Sequence, residues 1–443
     1  MEFLIFRDKA FQFALQNGCG AAEVYYNEAE ELEIQSLDGA LDKYAVSRKA
    51  GLNLRVQLGG KDGYAYTEAF DEPEALVKRA MDNARAIESD DEHPMQGKSV
   101  YQKIDKKGIP LLQKTERERI ELAFELERKT KALDTRVKRM MYCNIVTLKG
   151  IKRIHNTLGL EADSERETAL TYAVAVLEQN GESKDGLGFR VNADAMDIDA
   201  VAKEAVREGA AMFGASSAPV GKYRILLRND AAAGLLEAFC SMFSADQAQK
   251  GLSLLKGKEG LVIASDIVTI FDDPFHEFAP RAFDGEGVPC IKKAVVESGV
   301  FKTLLHNLKT AKKAGVPSTG NAGRAGAAAP VDISPTNFYI VPGKRGYDEL
   351  LKELHNGLVL TELSGMHAGL NPVSGEFSLL AKGLLVENGA VVRPVDQITV
   401  AGSFFSLMKG IAEVGSDLRF GFPGGSNVGS PSLLIDELMI SGK

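Results

Sequence analysis

Histidine and cysteine are the side chains best suited to hold a metal or attack a carbonyl, and this 443-residue chain scatters them. His93, His155, His276, His306, His355 and His367 make no H-E-x-x-H or H-x-x-x-H spacing. No two imidazoles therefore fall one helical turn apart, where both could face one ion. His276-Glu277 stands beside Asp272 and Asp273 and reads as a surface histidine. Cys19, Cys143, Cys240 and Cys290 form no C-x-x-C pair, which argues against a zinc ribbon or disulfide framework and fits a reducing compartment.

Other nucleophile and phosphate signatures fail on spacing. Gly251 and Gly257-Lys258 are spaced unlike the P-loop pattern, and Glu259 stands where a hydroxyl should hold magnesium. Ser253-Leu254-Leu255-Lys256 matches S-x-x-K without its companion motifs and reads as a loop. Gly425-Ser426-Asn427-Val428-Gly429 has one residue too many for a nucleophile elbow. What remains is glycine-centred: Asp284-Gly-Glu-Gly-Val-Pro289, Ser318-Thr-Gly-Asn321-Ala-Gly-Arg324 and Ser374-Gly-Glu-Phe-Ser378, which by residue type alone are turns.

The elements that must position these turns follow from pattern and composition. The chain is 44% hydrophobic and 26% charged, the balance of a folding globular protein of roughly three domains. A net charge of -8 disfavours nucleic acid as a direct ligand. The start Met1-Glu2-Phe3-Leu4-Ile5-Phe6 is too short and acidic for a signal segment, no run reaches the ~18 apolar residues of a membrane span, and the expectation is a cytoplasmic protein.

An internal repeat organises the first half. Lys61-Asp62-Gly63, a strand over 64–67 and a helix from Glu74 recur as Lys184-Asp185-Gly186, a strand over 187–191 and a helix from Asp199. Each copy opens with a helix: Phe6, Ala10, Phe13 and Ala14 mark the first, and the Thr115-x-x-Glu118 capping box starts the second, with Ile120 and Phe124 expected inward. Strands are expected over 23–27, 32–36 and 52–57, then 139–144, 150–156 and 168–179; Leu32 and Ile34 should face a core and Glu33 and Gln35 solvent. The predicted class is α+β: duplicated helix-flanked antiparallel sheet units, then a large glycine-rich, β-dominated mixed domain. Its divisions are 1–90, a linker over 91–114, 115–215, and 222–443. Of 44 glycines, 23 lie within 281–443, which places the turns there.

The order of these motifs resembles the TldD/PmbA family, the modulator of DNA gyrase proteins, over essentially the whole chain. The Asp284–Pro289 turn, Glu297-Ser-Gly-Val300, Ser318–Asn321, Pro335-Thr-Asn337, Ser374–Ser378 and the closing Leu438-Met-Ile-Ser-Gly442 fall in family order. In the TldD branch a helix carries H-E-x-x-x-H, and a cysteine near the C terminus completes a zinc site. Here the predicted helix Ala231–Ala248 puts Leu236 and Ser241 at the histidine positions and keeps only Glu237; Arg419–Pro423 contains no cysteine. The resemblance therefore implies the PmbA/TldE branch, without metal or other cofactor. It also implies a heterodimer with a TldD-type zinc protease subunit that cleaves unfolded peptides, and a homodimer when alone. Leu235, Leu236, Phe239 and Phe243 should be core, and Glu237 could be an ordinary solvated residue. His367, Asn371 and Ser374, among Gly365, Gly369 and Gly375, are the expected peptide-binding residues, with a self-satisfied hairpin loop as the competing reading. An autonomous peptidase with another nucleophile, and a regulator of DNA gyrase or a toxin-antitoxin pair, are the alternative functions.

Overall fold

The computed structural model describes residues 2–88, 93–105, 107–192 and 197–442. Its architecture is α+β. The linker expected at 91–114 lies partly outside the described residues.

The strand segments expected as pairs merge into long ribbons. β1 (Ala21–Leu37) and β2 (Ala40–Leu58) meet at Asp38-Gly39, both with positive φ, and β3 (Lys61–Thr67) follows Gly59-Gly60. β4 (Val137–Asn156), β5 (Glu161–Gln179) and β6 (Glu182–Val191) repeat this meander, with Asn180-Gly181 as the last turn. Two-residue turns with positive φ twist in the sense of the flanking strands, which lets such ribbons run far. β1 pairs antiparallel with β4, from Glu23 opposite Asn156 to Gln35 opposite Asn144. The two units thus share one six-stranded sheet, ordered β3-β2-β1-β4-β5-β6.

Helices cover one face. α1 (Phe3–Gln16) and α2 (Pro73–Ala86) belong to the first unit; after the short α3 (Pro110–Gln113), α4 (Glu116–Leu133) and α5 (Ile198–Ala210) belong to the second. The Lys-Asp-Gly triplets lie within β3 and β6 themselves, not ahead of the strands as expected. Their glycines explain the repetition: a Cβ on Gly63 would collide with the Ala80 carbonyl of α2, and one on Gly186 with the Ala205 carbonyl of α5. Each helix therefore rests directly on strand backbone. The Thr115/Glu118 capping box forms. However, α4 buries Ala123, Leu126, Glu127 and Thr130 while Ile120 and Phe124 sit at the margin. Glu127 turns inward because it accepts hydrogen bonds from the Ser36 hydroxyl and the Gly39 N–H and pairs with Lys131, a demand that apolar periodicity cannot reveal.

Residues 93–105 are packed against this sheet, not looped free of it. Arg55 donates to the carbonyls of His93 and Pro94, and the Tyr101 ring lies 5.0 Å from that of Phe283.

Among the described residues the C-terminal region holds two large sheets, besides the short pairing of Ala322–Gly323 with Asp332–Ile333. In the larger, β7 (Gly221–Leu227) lies between strands Gly357–Ser364 and Leu433–Ser441; Ala390–Ser403 and Glu376–Glu387 continue it, and Glu376–Glu387 pairs back onto Gly357–Ser364 to close a ring. The smaller sheet joins Ile270–Asp272, Lys293–Glu297, Asn337–Ile340 and Asn427–Ser430. One apolar core, including Phe239, Phe243, Phe301, Phe338 and Phe404, binds both sheets to the helix following β7.

Candidate functional site

The helix expected over Ala231–Ala248 is broken. α6 (Asn229–Phe239) tightens into a 3₁₀ turn at Cys240–Phe243, Ser244 is extended, and α7 (Ala245–Gln249) restarts. Leu236 is 2% exposed in the apolar core, as are Leu235, Phe239 and Phe243 nearby, whereas Ser241 is exposed. Glu237 is half-buried. Its Oε1 accepts a hydrogen bond of 3.1 Å from the Ser426 N–H, and burial raises its pKa more than that bond lowers it. One helical turn on, burial and the Glu237 and Asp272 charges keep the Cys240 thiol protonated.

Ser426 belongs to the C-terminal loop after Arg419-Phe420. Phe422 in that loop sets its ring edge-on against Tyr172 of β5 and Phe189 of β6, at 5.4 and 5.3 Å. Arg419 stacks over Phe189 and pairs with Glu204 of α5. The loop thus bridges α6 and the second N-terminal unit. His276 is not on the surface as expected: it is half-buried with its ring 4.9 Å from Phe420 and 5.1 Å from Tyr339, and burial lowers its pKa.

The glycine-centred motifs are more than turns. Asp272, fully buried, accepts from Lys293 and Asn321 through Oδ2 and from the Thr336 N–H and hydroxyl through Oδ1. Burial pushes its pKa up, but the Lys293 charge and these donors outweigh it and hold it below the ordinary value. Asp284 accepts three backbone N–H bonds, from Glu286, Val288 and Ala322, yet burial and then the Glu286 charge push its pKa up to about 6. Glu286 joins His93 to the Leu308 N–H. By residue type these carboxylates read as turn formers; Asp-Gly-Glu-Gly followed by an apolar Val-Pro is the signal that they turn inward.

His367 lies exposed on a short helical turn, Met366–Gly369, which leads into a hairpin holding Asn371 and Ser374 that pairs Leu370 with Phe377 and Asn371 with Glu376. Asn371 and Ser374 are exposed, and their oxygens accept N–H bonds from Val373, Ser374 and Glu376 within the turn. Gly369 packs where a Cβ would strike the Ser378 carbonyl, so this glycine serves the hairpin itself.

Residues 22–84 match the PmbA/TldA metallopeptidase domain 1 family, 109–213 the central domain and 220–442 the C-terminal domain. The chain belongs to the PmbA/TldD metallopeptidase family. A Thermotoga maritima protein, solved as a candidate modulator of a DNA gyrase, superposes with TM-score 0.90 at 34% identity over 99% of this chain and 100% of its own. TldE from Thermococcus kodakarensis shares the fold, with TM-score 0.90 at 21% identity over 99% and 100%. The metalloprotease PmbA of Escherichia coli is 25% identical over 451 residues, covering 98% of this chain and 96% of its own.

A metallopeptidase family implies a catalytic metal, and the donors around α6 do not fit one. At the register of the metal-binding branch Glu237 supplies a carboxylate, but Leu236 is sunk in the core, Ser241 offers a hydroxyl, and Cys240 is held as a buried thiol. Among the described residues no group of three His, Cys, Asp or Glu converges with metal-ligand geometry. A lone carboxylate lacks the nitrogen and sulfur donors that zinc requires.

Proposed function

We propose that this chain is the non-catalytic subunit of a two-chain cytoplasmic metalloprotease acting on unfolded peptides. A TldD-type partner supplies the zinc, and this chain forms a homodimer when alone. The carrying observation is Leu236. A side chain packed in the core beside a retained Glu237 is a scaffold position that has given up its ligand, and restoring an imidazole there would require repacking that core. The exposed hairpin with His367, Asn371 and Ser374 is the surface we assign to the extended peptide, since its amides and hydroxyl can read a main chain irrespective of sequence.

Co-expression with a TldD-type chain tests the assignment. The pair should co-purify and cleave an unfolded peptide, while this chain alone should be inactive and carry far less than one metal per chain. Stoichiometric zinc on the isolated chain, or equal activity from the partner alone, overturns it. Asn371→Ala with Ser374→Ala should lower turnover of the pair while assembly and Tm stay unchanged.

A further inference from the structure

Three cations meet where the polar face of the N-terminal sheet looks onto the C-terminal domain. Lys152 on β4 lies opposite Ser164 of β5, and Arg166, two residues further along β5, lies opposite Gly150. Period-two alternation puts Lys152 and Arg166 on the same face as diagonal neighbours. That face packs Tyr25, Ile154 and Ala162 against Phe283, and the Lys152 ammonium sits 5.6 Å above the Phe283 ring. From the C-terminal side comes Arg281, whose terminal N–H donates to the Pro335 carbonyl while its buried Nε makes no hydrogen bond.

Among the described residues no carboxylate lies within ion-pairing distance of Lys152, Arg166 or Arg281, and the remaining polar contact is Arg166 Nε with the Thr168 hydroxyl at 3.3 Å. The nearby carboxylate, Asp284, is engaged by its three backbone N–H donors. The cations also feel one another. Burial and then the Arg281 charge lower the pKa of Lys152 to about 8, against the opposing pull of Asp284, and burial and Arg281 likewise lower that of Arg166. Like charges crowded without a counterion destabilise the fold unless a ligand occupies them.

We propose that Lys152, Arg166 and Arg281 form a binding site for a small oxyanion at the junction of the N-terminal sheet and the C-terminal domain. Two guanidinium groups and an ammonium suit the fork geometry of carboxylate or phosphate oxygens. The two sources of that chemistry are a peptide C-terminal carboxylate and free inorganic phosphate. Arg166 is the most open of the three and forms the entrance.

The full-length chain is titrated calorimetrically with inorganic phosphate, with an N-acetylated tripeptide free acid, and with the same tripeptide as its C-terminal amide. Binding of phosphate alone identifies the ligand as phosphate; binding of the free acid and not the amide identifies a peptide carboxylate. Arg281→Met or Lys152→Met should weaken the bound anion about tenfold or more, the loss of one charge-assisted hydrogen bond. Arg166→Gln, at the open edge, gives a variant whose fold is not at issue. In the unsubstituted chain, the bound anion should also slow acetylation of Lys152, read by mass spectrometry, while Lys149 on the opposite face stays unaffected. Absence of binding by all three probes, or binding unchanged by Arg166→Gln with no protection of Lys152, overturns the site.

Discussion

The two N-terminal units have the same meander and the same glycine-on-helix contact, yet they meet the C-terminal domain by different chemistry. The first unit joins through buried charge: Glu23 of β1 faces Arg324 at 3.8 Å, Arg324 stacks on Tyr25, and Glu286 reaches His93. The second joins through rings and less deeply buried ion pairs, with Phe422 against Tyr172 and Phe189, Glu204 held by Arg190 and Arg419, and Glu208 by Arg228. Shared interior and divergent rims are what duplication followed by docking would produce. Backbone-level packing constrains both copies alike, while outward-facing positions were free to fit whatever they touched.

Substitution of the paired glycines tests the shared half most severely. Gly63→Val and Gly186→Val each drive a branched side chain into a helix carbonyl, and each should cost about 3 kcal/mol or more, read as loss of cooperative melting at the usual temperature. Tolerance at one position and not the other would break the equivalence of the copies.

The divergent rims should respond to pH with opposite sign. Burial raises the folded-state pKa of Glu23, and Asp284 of the C-terminal domain is pushed up to about 6 from 3.8. In the window between 3.8 and about 6 the folded chain binds more protons at Asp284 than the unfolded chain, and Glu23 acts in the same sense above its ordinary 4.5. The first junction therefore gains stability as pH falls through about 6, with a slope of at most ~1.4 kcal/mol per pH unit per group. Glu204 is the reverse: burial alone would raise it, but Arg419 and Arg190 hold it below its ordinary 4.5. Its contribution is complete above that value and is lost as pH falls through the lowered one. Hydrogen-exchange protection factors should rise across β1 and β2 as pH falls through about 6 and should fall across α5 below pH 4.5; parallel changes would contradict the contrast.

Arg324→Met should cost about 2 kcal/mol, because the abandoned Glu23 can take up a proton and avoid remaining a bare buried charge. The matched change of Asp284→Asn should remove much of the first junction's pH response and leave α5 unaffected.

How much of this was legible depended on range. The repeat, the α4 capping box, the Leu32/Ile34 alternation and the core positions of α6 are local patterns, and they stand as read. The merging of β1 with β4 is a pairing across more than a hundred residues that leaves no local trace. The inward Glu127 defeated apolar periodicity because its partner, Ser36, lies ninety-one residues away. The helix break at Ser244 is equally opaque, since Ser244-Ala245-Asp246 reads as ordinary helix. At the candidate site, the family resemblance located Glu237, Leu236 and Ser241, but the Ser426 contact and the convergence of Lys152, Arg166 and Arg281 require tertiary structure.

Phe422→Ala should have the smallest effect and isolates the aromatic junction. The ring is 41% exposed, so truncation removes only part of an aromatic's burial and two edge-on contacts, worth about 1 kcal/mol. Because the contact ties a surface loop to β5 and β6, much of that cost should appear as local opening, with the rest of the C-terminal domain retaining its protection. Limited proteolysis should then cut within 421–426 faster, and exchange at the Ser426 amide should rise as its bond to Glu237 loosens. If the loop stays protected, Arg419 and Glu204 suffice to hold it, and the second junction is ionic at heart like the first.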